Sequence, residues 1–292
     1  MIEITLFAPA KINIGLSILG ARTDGYHDIA TVFQALDWGD TVSFRRTAGP
    51  VEIECGHPDV PKDEDNLVVR AFRLFQRETG IEGGLAVRIE KRIPPGAGLG
   101  GGSSDAAAAL IACNRLWRRG LNQTELMNLA ARIGSDVPFF ILGGTAYGTG
   151  RGEILRPLSW PMQYHVLLIL PGEAVSTAWA YTQIRMTLTK VKKITKLTDI
   201  LETGDLSALH RDASNDMERV VFPSHPRLGE IKQALYNRGA CYASMSGSGS
   251  TIYGLFIKRE DAEAAASSLV HDKGIQTHLA KPIPSTIPIT GE

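Results

Sequence analysis

The 292-residue chain has little that would tie it to a metal, a membrane or a nucleic acid. Its three cysteines, Cys55, Cys113 and Cys241, are scattered and odd in number. None has metal-site spacing, so reduced core residues in a cytoplasmic protein are expected. Formal net charge is zero, from 31 basic and 31 acidic side chains, which argues against a broad nucleic-acid or membrane surface. The basic cluster Lys190 to Lys196 reads as a solvated face. No apolar run approaches the roughly 20 residues of a membrane span. Glu3 and Pro9 interrupt the start, so no secretory signal is expected there. Repeats and low-complexity segments are also missing. What is present, 43% hydrophobic and 21% charged residues, can bury a real core in one large or two ordinary domains.

Glycine is where the chain is rich. Gly96, Gly98, Gly100, Gly101 and Gly102 crowd between Pro94-Pro95 and a run of alanines. The alanines, with Leu110, Ile111, Leu116 and Trp117, predict a buried helix, capped by Ser103 or Ser104 and stopped at Gly120. A glycine loop feeding a helix start presents unpaired N–H groups and the positive end of the dipole, a place that suits phosphate. A flexible connector is the alternative, but immobilising each Gly costs about 0.5–1 kcal/mol more than Ala. Here the loop is held between a buried helix and two stiff prolines. Walker A fails because Gly102 stands where its lysine belongs. The dinucleotide pattern G-x-G-x-x-G fits Gly96, Gly98 and Gly101, but a helix from Asn122 follows instead of a second strand.

Along the rest of the chain, residues 1–20 predict two short strands around Ala8-Pro9-Ala10. On the second, Lys11 and Asn13 share a face, and Lys11 sits among apolar neighbours where a charge needs a partner. Further strands are expected at Thr31 to Leu36, Thr41 to Phe44, Val51 to Cys55 and Leu85 to Ile93. A helix capped by Asp65 or Asn66 ends at Gly80, and Asn122 with Glu125 forms a capping box for another. Tyr26-His27 follows the turn Thr23-Asp24-Gly25, where an aromatic face could stack on a base. Asp136 precedes an apolar run; a helix cap is its ordinary reading. Beyond residue 158, expected strands at His165 to Leu170, Cys241 to Met245, Ile252 to Ile257 and Thr277 to Pro282 alternate with helices. Ser246 to Thr251 is a tight glycine turn, and the tail from Pro284 reads as loose.

The loop PPGAGLGGGSSDA, Pro94 to Ala106, resembles the P-x-x-x-G-L-G-S-S-A phosphate loop of the galactokinase–homoserine kinase–mevalonate kinase–phosphomevalonate kinase superfamily. APAKINIGL is similar to that family's first motif, and Gly134 to Phe140 to the segment carrying its catalytic aspartate. Ser246 to Thr251 is similar to its third, glycine motif, and Asn215-Asp216-Met217-Glu218 to an N-D-x-E interdomain or helix-start element. The string R-x-D-G-Y-H at Arg22 to His27 resembles the branch that phosphorylates a diphosphocytidyl-methylerythritol.

The resemblance implies an α+β, two-domain small-molecule kinase fold. A nucleotide-binding α/β domain would span 1–158, with the phosphate loop at 94–104. A ferredoxin-like α+β domain would span 159–292, with the active site in the cleft between them. Lys11 and Asp136 are then catalytic, and Asn13, Tyr26 and His27 bind substrate, the last two at a cytosine. ATP would lie along Pro94, Gly96, Ala97, Gly98, Leu99, Gly100, Gly101, Gly102, Ser103 and Ser104. Gly247, Ser248 and Gly249 would support its phosphates, and Ser104 or Ser103 would help hold Mg2+. The implied partners are ATP and a cytidine-diphosphate-linked polyol, with no nucleic acid and no membrane, for a monomer or weak homodimer. Two alternatives stay open: a homoserine- or mevalonate-type kinase, and a non-catalytic nucleotide- or RNA-binding module. The pairing of Lys11 with Asp136 and the zero net charge argue against the second.

Overall fold

Where two short strands were expected, one continuous strand runs, β1 (Glu3–Ala21). Pro9 does not break it. The ladder slips between Pro9 and Lys11, so the missing N–H falls at an irregularity and not inside a regular pairing. Its partner β2 (His27–Thr47) is equally long and joins the two expected segments into one. The other side of β2 is shared, by β4 (Gly84–Glu90) from Thr41 to Thr47 and by β5 (Thr145–Thr149) from Thr31 to Gln34. With β3 (Glu52–Cys55) and β6 (Ile154–Leu158) this makes a six-stranded sheet in which β3–β4 is the one parallel pair among the described strands.

The computed structural model describes residues 2–160, 163–187, 197, 198, 200, 206–270 and 274–283. The basic cluster 190–196 and the tail 284–292 lie outside them. Over the first sheet pack α1 (Leu67–Thr79), α2 (Gly101–Leu116), α3 (Gln123–Ala131) and α4 (Val137–Leu142). α1 carries both expected caps. The Asn66 side chain accepts from Val68 N, and Gly80 closes the helix in the left-handed region. α3 has the capping box between Asn122 and Glu125. α2 is buried nearly all round, as its alanine run requires.

The second half holds β7 (His165–Leu170), β8 (Tyr242–Met245), β9 (Ile252–Phe256) and β10 (Gln276–Ala280), antiparallel in the order β10-β7-β9-β8. That order is the ferredoxin-like one. Its helices are α5 (Thr177–Thr187), α6 (Leu206–Asp212), α7 (Glu218–Ser224), α8 (Pro226–Asn237) and α9 (Arg259–Leu269). The halves share a core in which Ala10, Ile12 and Ile14 of β1 pack with Val166, Leu168, Tyr253 and Leu255. Polar clamps reinforce the join. Asp216 accepts from Ile18 N at 3.0 Å, and Tyr164 donates to the buried Gln34 at 3.1 Å.

Candidate active site

The phosphate loop enters its helix earlier than serine capping predicts. α2 starts at Gly101, with Gly100 in the left-handed region as N-cap and no side-chain cap; Ser103 and Ser104 already lie in the first turn. Gly101, a poor helix former, begins the helix because its surroundings leave no room for a larger residue. A Cβ on Gly101 would stand 2.9 Å from Ile93 and 3.0 Å from Lys91 Nζ. The tightest point is Gly98, where a Cβ would meet Ser246 O at 2.2 Å at a φ of +78°. The third motif is therefore in backbone contact with the phosphate loop. Ser246 Oγ donates to Gly98 O at 2.9 Å, and Thr251 N donates to Ala97 O. Asn215 fixes that motif by donating to the carbonyls of Met245 and Gly247, both at 2.8 Å, while its Oδ1 accepts from Met217 N. Asn215 and Asp216 thus serve both expected purposes, joining the halves and starting α7.

Lys11 stands where the three motifs meet. Its backbone N–H donates to Leu99 O at 3.0 Å, laying β1 beside the phosphate loop. Its Nζ donates to Asn13 Oδ1 at 2.5 Å and faces Asp136 Oδ2 at 3.5 Å. A Cβ on Gly247 would lie 3.6 Å from that Nζ. The Lys11 side chain is 4% exposed and that of Asp136 32%. Asp136 sits at the start of α4 but makes no side-chain cap hydrogen bond, so helix capping does not account for it. Its carboxylate faces a cation and an opening.

That opening is a cavity of about 760 Å³ lined by Lys11, Asn13, Tyr26, His27, Gly98, Gly100, Asp136, Gly247 and Ser248 from the expected set. Pro94, Gly96, Ala97, Leu99, Gly101, Gly102, Ser103, Ser104 and Gly249 are not among its lining residues. Ala97 and Leu99 are buried in the core shared by the halves, whereas Gly96 and Gly102 are exposed. At the aromatic part, Tyr26 is 53% exposed with the Arg151 guanidinium 4.9 Å over its ring. His27 is buried, its ring 5.2 Å from Tyr181. Burial, with the Asp136 charge adding to it, pushes the Tyr181 phenol up, so its hydroxyl keeps its proton.

The reading of the sequence missed Arg151, Tyr181 and Thr177, which line the cavity from β5–β6 and α5. It also missed the ion cluster beneath the phosphate loop. Lys91 Nζ lies 2.6 Å from both Asp40 Oδ2 and Asp105 Oδ2, and all three side chains are at most 5% exposed. Asp40 Oδ1 accepts in addition from the N–H groups of Arg92 and Ile93. The cluster ties the end of β4, the middle of β2 and the second turn of α2 together. Both ends of the loop are thereby fixed.

Comparison with known proteins gives the family and the fold. Residues 66–144 match the GHMP kinases N terminal domain and residues 197–276 the GHMP kinases C terminal domain. A 4-diphosphocytidyl-2-C-methyl-D-erythritol kinase of Synechococcus is 44% identical over 276 residues, 91% of this chain and 89% of that one. Its counterpart in Chlorobium chlorochromatii is 41% identical over 89% of this chain and 91% of that one. A crystal structure of 4-(cytidine 5'-diphospho)-2C-methyl-D-erythritol kinase superposes with a TM-score of 0.79 at 32% identity, covering 95% of this chain and 99% of that one. A Cytophaga hutchinsonii homoserine kinase, at 22% identity and TM-score 0.76, over 97% of this chain and 95% of that one, shares the fold. The chain is an ATP-dependent kinase of the GHMP group and belongs to its 4-diphosphocytidyl-2-C-methyl-D-erythritol kinase family.

Proposed function

We propose that this kinase phosphorylates the tertiary 2-hydroxyl of 4-diphosphocytidyl-2-C-methyl-D-erythritol, yielding the 2-phosphate and ADP, in the non-mevalonate route to isoprenoid precursors. One observation carries the reading. A single cavity joins the glycine loops, the Lys11–Asp136 pair and an aromatic wall of Tyr26, His27 and Tyr181. A substrate with a base at one end and an alcohol at the other matches that succession. We divide the chain near 158/159, because the two sheets fall on either side of it.

In this reading ATP phosphates meet the loop from Gly96 to Ser104 and the start of α2, where backbone N–H groups and the helix dipole favour anions. Magnesium supplies charge neutralisation on the transferring oxygens when bound. The chain fits a weakly held ion. Among the described residues no cluster of three His, Cys, Asp or Glu could cage one, so phosphate and water oxygens would supply most of its ligands. Ser104 Oγ is fully buried without a hydrogen-bond partner, and Ser103 is half-buried; either hydroxyl could complete the set.

A tertiary alcohol is crowded, so holding it in line contributes most. Asn13 and Lys11 orient it, and Asp136 accepts its proton. A carboxylate is too weak a base to ionise an alcohol beforehand, so the proton passes late, as the bond to phosphorus forms. Lys11 fixes the carboxylate and offsets charge developing on the oxygens.

Tyr26→Ala tests the base-reading wall. Stacking of a base on an aromatic is worth about 1–3 kcal/mol, so KM for the cytidylyl substrate should rise roughly 10- to 100-fold. KM for ATP should stay within about twofold, since Tyr26 touches neither glycine loop. An unchanged KM for the cytidylyl substrate would remove the base from this reading and favour a homoserine- or mevalonate-type acceptor.

A further inference from the structure

We infer that Thr31 is a positioning residue: it sets which way the Asn13 amide faces, and so holds the Lys11 ammonium toward Asp136. The inference rests on the reading of Lys11 and Asp136 as the reacting pair. Its argument is one of hydrogen-bond polarity along a buried chain of groups, Gly15, Thr31, Asn13 and Lys11.

The chain of bonds begins at a bulge. β1 slips register between Ile14 and Leu16, and Gly15 adopts a φ of +66°, which glycine tolerates best. Thr31, on the neighbouring strand, donates its hydroxyl to the Gly15 carbonyl at 2.5 Å. A hydroxyl has one proton, so toward any other group Thr31 can only accept. Asn13 Nδ2 supplies the donor, at 3.1 Å from Thr31 Oγ1. The amide oxygen must then face the opposite way, where it accepts from Lys11 Nζ at 2.5 Å. An ammonium can only donate. Each bond dictates the polarity of the next, and only one arrangement satisfies all four groups.

Burial makes this arrangement matter. Thr31 is 0%, Asn13 3% and Lys11 4% exposed, so water cannot replace a lost partner cheaply. The Asn13 backbone is already pinned, because Tyr253 donates to its carbonyl at 2.7 Å. Burial pushes the Tyr253 phenol far up, which keeps it a donor. What stays free is rotation of the Asn13 amide, and Thr31 removes that freedom. Without the hydroxyl, the amide can turn its NH2 toward the ammonium and drive Lys11 from Asp136.

The test compares Thr31→Val, of nearly the same shape without the hydroxyl, with Thr31→Ser, which keeps it. Small misplacements of a catalytic group cost up to about 100-fold, so T31V should lower kcat roughly 10- to 100-fold with KM for ATP within twofold. T31S should recover kcat to within about threefold of wild type. In an Asn13→Ala background T31V should have no further effect, because Thr31 acts through Asn13. Should T31V not fold, as judged by circular dichroism, Thr31→Ala, which also lacks donor and acceptor, carries the same prediction against T31S. Wild-type kcat in T31V, or T31S as slow as T31V, overturns the inference. A Lys11→Met control separates it from the reading beneath: if K11M is inactive while T31V is unaffected, only the role of Thr31 fails. If K11M turns over normally, the reacting pair itself is wrong.

Discussion

Asp136→Asn is expected to lose about 10²–10⁴ in kcat, the usual contribution of a positioned proton acceptor, while ATP binding by calorimetry stays near wild type. The variant should also fold normally. Asp136 forms no cap bond to α4, and its side chain is partly open, so the amide takes its place without leaving a buried group unpaired. Lys11 keeps its bond to Asn13. What disappears is the acceptor for the alcohol proton. Turnover within tenfold of wild type in D136N would assign Asp136 to structure and leave the cavity without a base.

Lys91→Met should produce the largest stability loss, about 3–5 kcal/mol, because removing one partner strands buried charge. Here two carboxylates, Asp40 and Asp105, would face each other without a cation. For a chain of this size that corresponds to a fall in Tm on the order of 10 °C. Asp105→Asn should behave differently. Desolvation, then the neighbouring Asp40 charge, push the Asp105 carboxyl up to about 7, although Lys91 opposes both. A carboxyl raised in the fold binds its proton there after the unfolded chain has released it. Its effect therefore favours folding at low pH and turns against folding as pH rises from the ordinary carboxylate range to about 7. Lys91, raised above its ordinary value by the two carboxylates despite burial, contributes stability below about 10.5 and loses it at higher pH. Thermal unfolding at pH 5 and pH 8 reads the Asp105 effect alone, because Lys91 loses its contribution only above about 10.5. Wild type should lose Tm between them, D105N should lose less, and K91M should be the least stable at each. A K91M within 1 kcal/mol of wild type, or a D105N as damaged as K91M at pH 8, would contradict the cluster's role.

How much of this was legible in the sequence depended on distance along the chain. Local chemistry read well: the Asn66 and Gly80 caps, the Asn122–Glu125 box and β7 lie where spacing predicted. Lys11 and Asn13 were placed on one face by the period of a strand, and the structure joins them directly. Errors arose where tertiary contacts override local preference. Pro9 suggested a break because proline lacks an N–H, yet β2 offers an irregular register that absorbs it. Glycines suggested that α2 starts at the serines, yet Lys91, Ile93 and Phe140 crowd Gly100 and Gly101 into a helix start only glycine fits. Lys91 finds Asp40 across 51 positions and Asp105 across 14, and no pattern in one sequence pairs them. Tyr181 reached the aromatic wall from the other half of the molecule, again beyond the range of any local motif.

The central claim is that one cavity brings a phosphate loop, a lysine–aspartate pair and a base-reading wall to a single substrate. ADP release by the purified protein with ATP and magnesium, offered diphosphocytidyl-methylerythritol, homoserine and mevalonate in parallel, tests it most directly. The account predicts turnover with the cytidylyl substrate and none with the other two. Turnover with homoserine or mevalonate instead would keep Asp136 and the glycine loop but discard the wall of Tyr26, His27 and Tyr181. No turnover with any of the three by a folded, ATP-binding protein would contradict the account.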